Sequence, residues 1–411
     1  MTKVEKRFFD FIKNNIIWII LIAVTILGVI IRFCGFNFQS DDFISFLNPW
    51  WSTISAEGIK GLANQVGNYN IPYQIITYIL TLLPFGALYS YKLFSVIFDF
   101  ILAISAALVV NEFNKSESLL KPVLTYTAVF CSITVILNSS FWAQCDSIYV
   151  SFILLAIYFV HRHKNISAFV LLGAAFAFKL QTVFILPIFL YIYISNRKIS
   201  ILHFLLIPAT DIVLCLPAIF FGRKFSDIIT IYLVQTDYGK QIQMNCPNLW
   251  ALICDRNDIT YYYLFKTISI AIAALILGVG LALIIYKGTD LMNCENFLLT
   301  SIWTVFTCIM FLSSMHERYG YLLDILTIIY AVFMFRCVWL AVLCNLVSLR
   351  GYCYYLFTYD VLDIKLTAII YMAAYAYVTY LFIKEVILNG KKLDNTKKAV
   401  GELHLSEQTA S

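Results

Sequence analysis

Charged residues are scarce in this sequence. Asp, Glu, Lys and Arg make up 13% of its 411 residues, against roughly 25% in a typical soluble domain. This shortage excludes a chain built mainly of water-soluble domains, because too few charges are present to cover such a surface. The eleven cysteines lack the spacing of metal ligands, so they indicate no metal site.

The few basic residues are dispersed. The formal net charge is +5, but most Lys and Arg residues fall in short loops and in the C-terminal tail, where they report membrane orientation. The charge therefore does not indicate nucleic acid as a partner.

Apolar residues dominate instead. They make up 61% of the chain, with a mean hydropathy of +0.82, and a membrane-spanning helix needs about 20 of them. Twelve apolar segments are candidates: 14–33, 92–110, 122–137, 147–161, 166–178, 180–195, 200–220, 260–286, 296–313, 319–335, 337–355 and 366–384. The sequence therefore predicts an all-α polytopic membrane protein with about twelve transmembrane helices, consisting of one membrane domain (1–388) and a polar cytoplasmic tail (389–411).

A thirteenth apolar stretch, IPYQIITYILTLL at 71–83, decides the orientation. As a helix it would span about 20 Å, which is short of the ~30 Å hydrocarbon core. If it crossed, the basic clusters HRHK (161–164) and NRK (196–198) would face outward, although Lys and Arg favour the cytoplasmic side. We therefore expect 71–83 to be an interfacial or re-entrant helix in a large first outer loop, with the N-terminus cytoplasmic.

This orientation gathers three acids on the outer face. Asp41 and Asp42 follow the first apolar segment in SDDFISFLNPWW, and Asp146 lies with Gln144 in FWAQCDSIY. Each Asp has a structural alternative, because Asp at the start of a helix often caps it.

The same face receives basic residues from two further segments. Lys179 lies in FKLQ, and His316, Glu317 and Arg318 form part of MHERY. The structural alternatives are a lysine that extends to the membrane interface and an ion pair between Glu317 and Arg318. Against these, Arg offers a planar fork suited to phosphate, and His titrates near neutrality.

Ionisable residues also occur within apolar segments. Asp99, Asp211, Lys266 and Asp324 are costly at that depth, so we expect them to face the bundle interior or a cavity. Lys92 precedes Asp99 by seven residues, which places both on one helical face.

The outer residues together predict a cavity that holds carboxylates, a histidine and cations beside aromatic groups. This chemistry fits the transfer of a sugar from a lipid-phosphate donor. A carboxylate would deprotonate the acceptor, and cations would stabilise the charge that grows on the leaving phosphate. A divalent metal, Mg²⁺ or Mn²⁺, bridging Asp41, Asp42 and the phosphate is left open.

A series of motifs resembles a known family. In chain order they are SDDF…LNPWW, NYNIPYQ, KLFSVIFD, WAQCDSIY, FKLQ…LP, NCPNLW and MHERY. Over roughly residues 10–335 they resemble the GT-C glycosyltransferases, which use polyprenyl-phosphate sugars, and especially bacterial mannosyltransferase-like members. The resemblance implies a GT-C fold and an inverting hexosyltransferase on the outer face of a plasma membrane. Its acceptor would be a cell-surface glycan, a teichoic acid or a protein.

The resemblance also implies roles for the acids. Asp42 matches the catalytic Asp of the family, with Asp41 beside it able to exchange roles. Asp146 matches a second outer acid near the acceptor or the donor sugar. One departure is Ala143-Gln144, where the family often has Gly-Gln, and we expect it to change packing only.

The basic motif is carried over in the same way. His316 and Arg318 match a His-Glu-Lys/Arg motif that holds the lipid phosphate in the family. We expect Lys179 to add a further cation, and Glu317 and Gln144 to position the groups beside them.

Three other functions remain open on the sequence alone. One is a polysaccharide polymerase or ligase that acts on lipid-linked oligosaccharides. Another is a transporter of lipid-linked glycans, which the charges within apolar segments favour but which lacks support from an inverted repeat or from matched Gly/Pro-broken helices. The last is a scaffold subunit of an envelope-synthesis complex, which would tolerate loss of every outer acid.

Overall fold

The computed structural model describes residues 1–114, 118–236, 240–255 and 260–393, and most of these residues are helical. Most of the predicted polar tail lies outside the described residues.

The α-helices follow one another along the chain. They are α1 (Lys3–Gly35), α2 (Asn48–Glu57), α3 (Ile71–Thr81), α4 (Ala87–Asn114), α5 (Leu120–Phe130), α6 (Ile133–Ile136), α7 (Asp146–His161), α8 (Asn165–Phe178), α9 (Leu186–Asn196), α10 (Leu206–Phe220), α11 (Phe225–Thr236), α12 (Leu249–Ile253), α13 (Tyr262–Lys287), α14 (Cys294–Phe311), α15 (Tyr321–Met334), α16 (Val338–Phe357) and α17 (Ile364–Leu381).

Short 3₁₀ and π turns extend or join these helices. The 3₁₀ turns are Gly58–Ala63, Leu180–Phe184 and Ile201–Leu205, and the π turns are Phe43–Leu47, Leu137–Phe141 and Phe382–Leu388. The sheet among the described residues is one parallel pair of short strands, β1 (Gln243–Met244) and β2 (Met315–His316).

Within the described ranges, seven helices are long and apolar enough to cross a membrane, and one bent pair would make an eighth. The seven are Lys3–Gly35, Ala87–Asn114, Ile201–Phe220, Tyr262–Lys287, Cys294–Phe311, Val338–Phe357 and Ile364–Leu388. The bent pair joins Leu120–Phe130 to Ile133–Phe141 at 48°. The protein is therefore an all-α, multi-pass membrane protein.

Each of the twelve predicted segments coincides with a helix or with this bent pair. Four of them are shorter apolar helices: Asp146–His161, Asn165–Phe178, Leu180–Asn196 and Tyr321–Met334. The helix positions are confirmed, whereas the count of twelve spans stays a prediction. The stretch 71–83 forms the short helix α3, as expected, and its interfacial position stays a prediction.

The most deeply buried helices are α7, α14 and α15, which pack against α4 and α8 in one continuous apolar core. A helix that is apolar on all sides is expected in such a position. By contrast, α1, α10 and α13 are mostly exposed and present Ile, Leu and Val side chains to their surroundings. These helices form the rim that lipid would contact.

Loops that the sequence assigns to the cytoplasm meet at one end of the bundle. The contacts are Arg162 with Glu112, Asn165 with the Lys198 carbonyl, Arg336 with Glu295, and Lys392 with Thr289. Loops assigned to the outer face meet at the other end, which we call the site end. The structure thus places the two sets of loops at opposite ends, and which end faces the cytoplasm stays a prediction.

A break between α5 and α6 shapes the site end. Ser132 and Thr134 donate to Asn345 Oδ1 at 2.9 and 3.1 Å, which anchors the break to α16. After α6 the helix widens into the π turn Leu137–Phe141, and the chain then turns before α7 begins at Asp146. Residues 142–146 are thereby presented at the site end.

A buried ion pair fixes this turn. The Asp99 carboxylate accepts hydrogen bonds from Arg32 Nε at 2.8 Å, Ser139 Oγ at 2.5 Å and Ser147 Oγ at 2.6 Å. Arg32 also donates to the Phe130 carbonyl at 2.9 Å. The Asp99 carboxylate therefore connects α4 to α1, α7 and the π turn, and Arg32 adds the link to α5.

The partner of Asp99 is not Lys92, although both lie on one face of α4. The Lys92 ammonium instead donates to the carbonyls of Gly35 at 2.6 Å and Phe38 at 2.5 Å, where α1 ends. A cation is favourable there because these carbonyls have no partner within the helix. The residues share a face as predicted, but α1 supplies the partner of each.

We expect Arg32→Met to destabilise the protein by about 3–5 kcal/mol, because it leaves Asp99 buried without its cation. The matched control is Arg162→Met, which breaks the exposed pair with Glu112 and should cost far less. The measurement is the free energy of unfolding of each purified variant in detergent. Equal losses in the two variants would contradict a central role for the buried pair.

Candidate functional site

Asp42 is the most heavily hydrogen-bonded acid at the site end. Its Oδ2 accepts from Trp142 Nε1 at 2.8 Å and from Gln144 Nε2 at 2.7 Å, and lies 3.3 Å from Arg318 Nη1. Its Oδ1 accepts from the Tyr355 hydroxyl at 2.5 Å. Donors from three separate parts of the chain thus hold one carboxylate that is only slightly exposed.

The helical turn after Asp42 bonds to Ser40 rather than to Asp42, so the Asp42 carboxylate can contact neighbouring elements. The Phe43 amide donates to Ser40 Oγ at 3.2 Å, and Ser40 Oγ donates to the Trp142 carbonyl at 3.2 Å. Asp42 makes no side-chain capping bond, so the alternative in which Asp42 caps this helical turn is wrong. Its side chain contacts neighbouring elements instead.

Asp146 forms a second cluster beside the first. Its Oδ1 accepts from Lys179 Nζ at 2.5 Å, and its Oδ2 accepts from Asn138 Nδ2 at 2.8 Å. Asn138 also donates to the Tyr352 hydroxyl at 2.9 Å. The N-cap of α7 is Cys145, and Asp146 is the first residue of the helix. The hydrogen bonds of the Asp146 carboxylate join it to other elements.

Arg318 connects the two acids. Besides its contact with Asp42, its Nε lies 4.0 Å from Asp146 Oδ2, and its guanidinium lies 5.1 Å from the centre of the Trp142 ring. Burial lowers the pKa of Arg318, but Tyr69, Asp42 and Asp146 outweigh this effect and raise the pKa well above its usual range. The guanidinium therefore stays charged.

Tyr69 extends this arrangement from the first outer loop. Its hydroxyl donates to Gln144 Oε1 at 2.9 Å, and the Gln144 amide donates in turn to Asp42. Burial raises the pKa of Tyr69, so its phenol remains a hydrogen-bond donor at neutral pH. The bond from Tyr69 therefore orients the Gln144 amide, and the bond from Gln144 positions the Asp42 carboxylate.

The segment carrying Arg318 is held from both sides. β2 pairs in parallel with β1, and the Ser314 amide donates to the Ile242 carbonyl at 2.7 Å. On the other side Gly351 of α16 lies so close that an added Cβ would sit 2.6 Å from Glu317 Cβ. A glycine is needed there for this segment to reach its observed place.

We expect Gly351→Ala to destabilise the protein by about 1–3 kcal/mol, because the added methyl forces Glu317 and its neighbours outward. Gly278→Ala on α13 is the matched control. Its Cβ would meet nothing within 4 Å, and alanine favours a helix over glycine, so no loss is expected. Melting temperatures in detergent compare the two, and a wild-type value for Gly351→Ala would be the contrary result.

Ala143 adopts a backbone conformation that favours glycine. Its φ is +62°, which costs an L-residue roughly 1–2 kcal/mol. The resembling family often has glycine at this position. The departure noted in the sequence therefore concerns backbone strain at the turn that carries Trp142 and Gln144.

We expect Ala143→Gly to change the free energy of unfolding by less than about 1 kcal/mol. The relief of strain offsets the lost buried methyl, worth about 0.8 kcal/mol, and the extra chain entropy of glycine. Ala106→Gly, equally buried but within α4, lacks this relief and should cost about 2 kcal/mol. Chemical unfolding of both variants tests this, and similar losses would argue against strain at Ala143.

A cavity of about 390 Å³ adjoins the two acids. Its wall includes four basic side chains: Lys179, Lys266, His316 and Arg318. No Asp or Glu among the described residues lines it. The Arg318 Nε is buried without a hydrogen-bond partner within the described part of the chain, and its neighbour is Asp146 Oδ2 at 4.0 Å.

The opposite wall of this cavity is apolar. It includes Phe178, Val183, Phe184, Ile270 and Leu312. Ile270 belongs to α13, a rim helix, and is about half exposed. The cavity therefore combines basic and apolar side chains, and the rim helix α13 contributes both Lys266 and Ile270.

Most of the predicted site residues lie together. Asp42, Asp146, Gln144, Lys179 and Arg318 form one connected cluster. His316 lines the adjoining cavity, and its Nδ1 lies 4.0 Å from Glu317 Oε1. Asp41 is exposed and makes no side-chain contact with the cluster in the described part of the chain.

Four residues of the cluster had no role predicted from the sequence: Trp142, Tyr355, Asn138 and Tyr69. Trp142 and Tyr69 lie in the recognised motifs WAQCDSIY and NYNIPYQ, and Asn138 lies shortly before the first of these. Tyr355 lies in α16, where a run of tyrosines near the end of an apolar segment was the available signal.

The two acids do not present a metal site. Both oxygens of each carboxylate accept from protein donors, and Asp41 lies apart. Among the described residues no group of three or more His, Cys, Asp or Glu lies close enough to hold a metal ion. A Mg²⁺ or Mn²⁺ ion bridging Asp41 and Asp42 therefore does not fit this arrangement.

The fold and the site define an α-helical, multi-pass membrane protein with a charged cluster and a cationic cavity at one end. Comparison of the chain with protein-family models gives no match, and comparison with curated proteins gives none either.

Proposed function

We propose that the protein is a glycosyltransferase of the GT-C type that takes a sugar from a polyprenyl-phosphate donor. The observation that carries this proposal is that one residue, Arg318, belongs both to the acid cluster and to the cavity wall. A base and an anion site are thereby placed side by side, as transfer from a sugar phosphate requires.

The cavity suits a phosphate. Arg318 is charged, Lys179 and Lys266 add positive charge to the same wall, and His316 also lines it. Charge-assisted bonds to phosphate are stronger than neutral ones. The Arg318 guanidinium would hold the donor phosphate and stabilise the charge that it gains as the sugar leaves.

The cavity also suits a lipid tail. Its lining includes Phe178, Val183, Phe184 and Leu312, and Ile270 of α13, which is mostly exposed on the rim of the bundle. An isoprenoid chain could pack against these apolar side chains while its phosphate lies beside the cations. A water-soluble nucleotide sugar would find no such match between its polar body and this wall.

Asp42 is the residue suited to act as the base. The acceptor oxygen would attack the anomeric carbon as the bond from that carbon to the phosphate oxygen breaks. Its proton would pass to Asp42, and polyprenyl phosphate would leave with the bonding electrons. Because the acceptor oxygen attacks in a single displacement, from the face opposite the leaving phosphate, we propose inversion at the anomeric carbon.

Asp146 has a different role in this proposal. Its side chain is almost completely buried and accepts from Lys179 and Asn138. It holds Lys179 in place and adds negative charge near Arg318. We therefore assign Asp146, like Gln144, to positioning rather than to proton transfer.

The proposed orientation follows from the grouping of the loops. The site end collects the loops that lack basic clusters, and the opposite end collects the basic ones. With the basic end in the cytoplasm, the site would face outward across a plasma membrane, on a GT-C fold with about twelve spans. The acceptor would be a cell-surface molecule.

The charges that favoured a transporter mostly have structural partners. Asp99 binds Arg32, and Asp211 accepts from Asn70 Nδ2 at 2.9 Å. Lys266 faces the same cavity as Arg318. These contacts serve packing and the proposed donor site, so they give no separate support to a transport path.

We expect Asp42→Asn to lower sugar transfer by about 10²–10⁴-fold, because the amide cannot accept the acceptor's proton. The assay uses purified full-length protein in lipid and radiolabelled undecaprenyl-phosphate sugars. Binding of the lipid donor should change little, because Arg318 remains.

Asp41→Asn is the matched control, since it makes the same change one residue away on an exposed side chain. It should retain transfer within about twofold. Full activity of Asp42→Asn would sink the assignment of the base. A wild-type protein that uses only lipid-linked oligosaccharides, and ignores the monosaccharide lipids, would favour the polymerase instead.

A further inference from the structure

A second cavity of about 420 Å³ lies beside the first outer loop. One side is formed by Phe46, Trp50 and Gln65 from the loop, and the other by residues of α11, including Asp227, Thr230 and Val234. Nothing in the proposed donor chemistry uses this cavity.

The two cavities are neighbours. Asn68 and Gln235 line both of them, and Gln235 Nε2 donates to the Asn68 carbonyl. The next residue, Tyr69, donates to Gln144, which donates to Asp42. The second cavity therefore lies on the far side of a thin wall from the donor cavity, with a short hydrogen-bonded path to the base.

The lining of the second cavity differs in charge from that of the first. No Lys, Arg or His among the described residues lines it. Its single carboxylate, Asp227, lies 3.7 Å from the buried Arg223 Nη1, so the wall is close to neutral. A phosphate polymer would meet no cation here.

The remaining groups are those that bind sugar rings. Trp50 packs edge-on against Tyr69 with 5.5 Å between ring centres, and Gly67 lies against the Trp50 ring, which fixes its orientation. Aromatic surface can cover the apolar face of a sugar. The Asn68 amide offers donors and an acceptor to hydroxyl groups. The nitrogens of Gln65 and Gln235 donate to backbone carbonyls, and their amide oxygens offer further acceptors.

We propose that this cavity binds an uncharged sugar unit of the acceptor, so that the acceptor is a glycan and not a teichoic acid. Describing the bound sugar as part of the acceptor rests on the proposed function, whereas the binding site is defined by its own lining residues. It adds a choice among acceptors that the donor cavity does not make.

The test fills the cavity without removing native contacts. Val234 lines the cavity and is 60% exposed, whereas the next residue, Leu233, is 67% exposed and lines neither cavity. Val234→Trp should block the cavity, and Leu233→Trp is the matched control. A second variant, Trp50→Phe, keeps an aromatic ring but shortens the platform.

The probes are fluorescently labelled neutral gluco-, manno- and galacto-oligosaccharides and a poly(glycerol phosphate) of matched length. Binding to full-length protein in lipid nanodiscs is followed by anisotropy. We expect at least one neutral oligosaccharide to bind, with affinity lowered about tenfold or more by Val234→Trp, lowered less by Trp50→Phe, and within about twofold of wild type in Leu233→Trp. Poly(glycerol phosphate), which the cations of the donor cavity can attract, should bind equally well or equally poorly in Val234→Trp and wild type.

Binding of poly(glycerol phosphate) that Val234→Trp abolishes would overturn the inference. So would failure of all neutral probes to bind, or equal affinity of the neutral probes for Val234→Trp and wild type. Binding of undecaprenyl phosphate, measured in parallel, separates this result from the proposed function. A Val234→Trp variant that keeps full donor binding and transfer refutes the second site alone. If glycan binding depends on Val234 but the protein binds no donor, the transferase is refuted and the glycan site still stands.

Discussion

The arrangement of the site end depends on one buried carboxylate that does not belong to the site. Asp99 binds Arg32, Ser139 and Ser147, and a carboxylate in an apolar interior persists only with a cation and further donors around it. Ser147 directly follows Asp146, so the position of that acid follows from the Asp99 contacts. Because Arg32 lies on α1, the same carboxylate also fixes the helix that leads into the first outer loop. The Arg32–Asp99 ion pair therefore helps to fix the positions of both Asp42 and Asp146.

The acid cluster is balanced in charge before any ligand binds. Asp42 and Asp146 face Arg318 and Lys179 at short distances, so two anions meet two cations in a largely buried space. Such a cluster avoids the cost of an unpaired buried charge. An arriving anion would compete with the carboxylates for Arg318 rather than fill an empty site, and it would leave Asp42 less firmly held. The two cavities then differ in what they can accept, one cationic with an apolar wall and one nearly neutral with aromatic and amide groups.

Much of the fold was predictable from the sequence, and part of the site was. Alternation of apolar segments with basic loops was enough to bring Asp146, Lys179 and Arg318 to one end, because helices that cross in turn place alternate loops together. The roles of Trp142 and Tyr355 were not predictable. Aromatic residues make up 17% of the chain, and Trp and Tyr near helix ends ordinarily anchor to the interface. The partner of Asp99 also depends on how α1 is rotated, which periodicity alone does not fix.

The contact between Tyr355 and Asp42 joins residues 313 positions apart in the chain. Ribosomal synthesis runs from the N-terminus, so the first outer loop is made long before α16. Until α16 has been inserted, Asp42 lacks its Tyr355 donor, and the Glu317–Arg318 segment lacks the Gly351 surface on which it rests. The nascent chain can thus complete its helices one after another while the cluster stays unfinished. The cluster is therefore completed only when translation is nearly finished. A chain that stops before α16 contains Asp42 and Asp146 but lacks the closed arrangement around them.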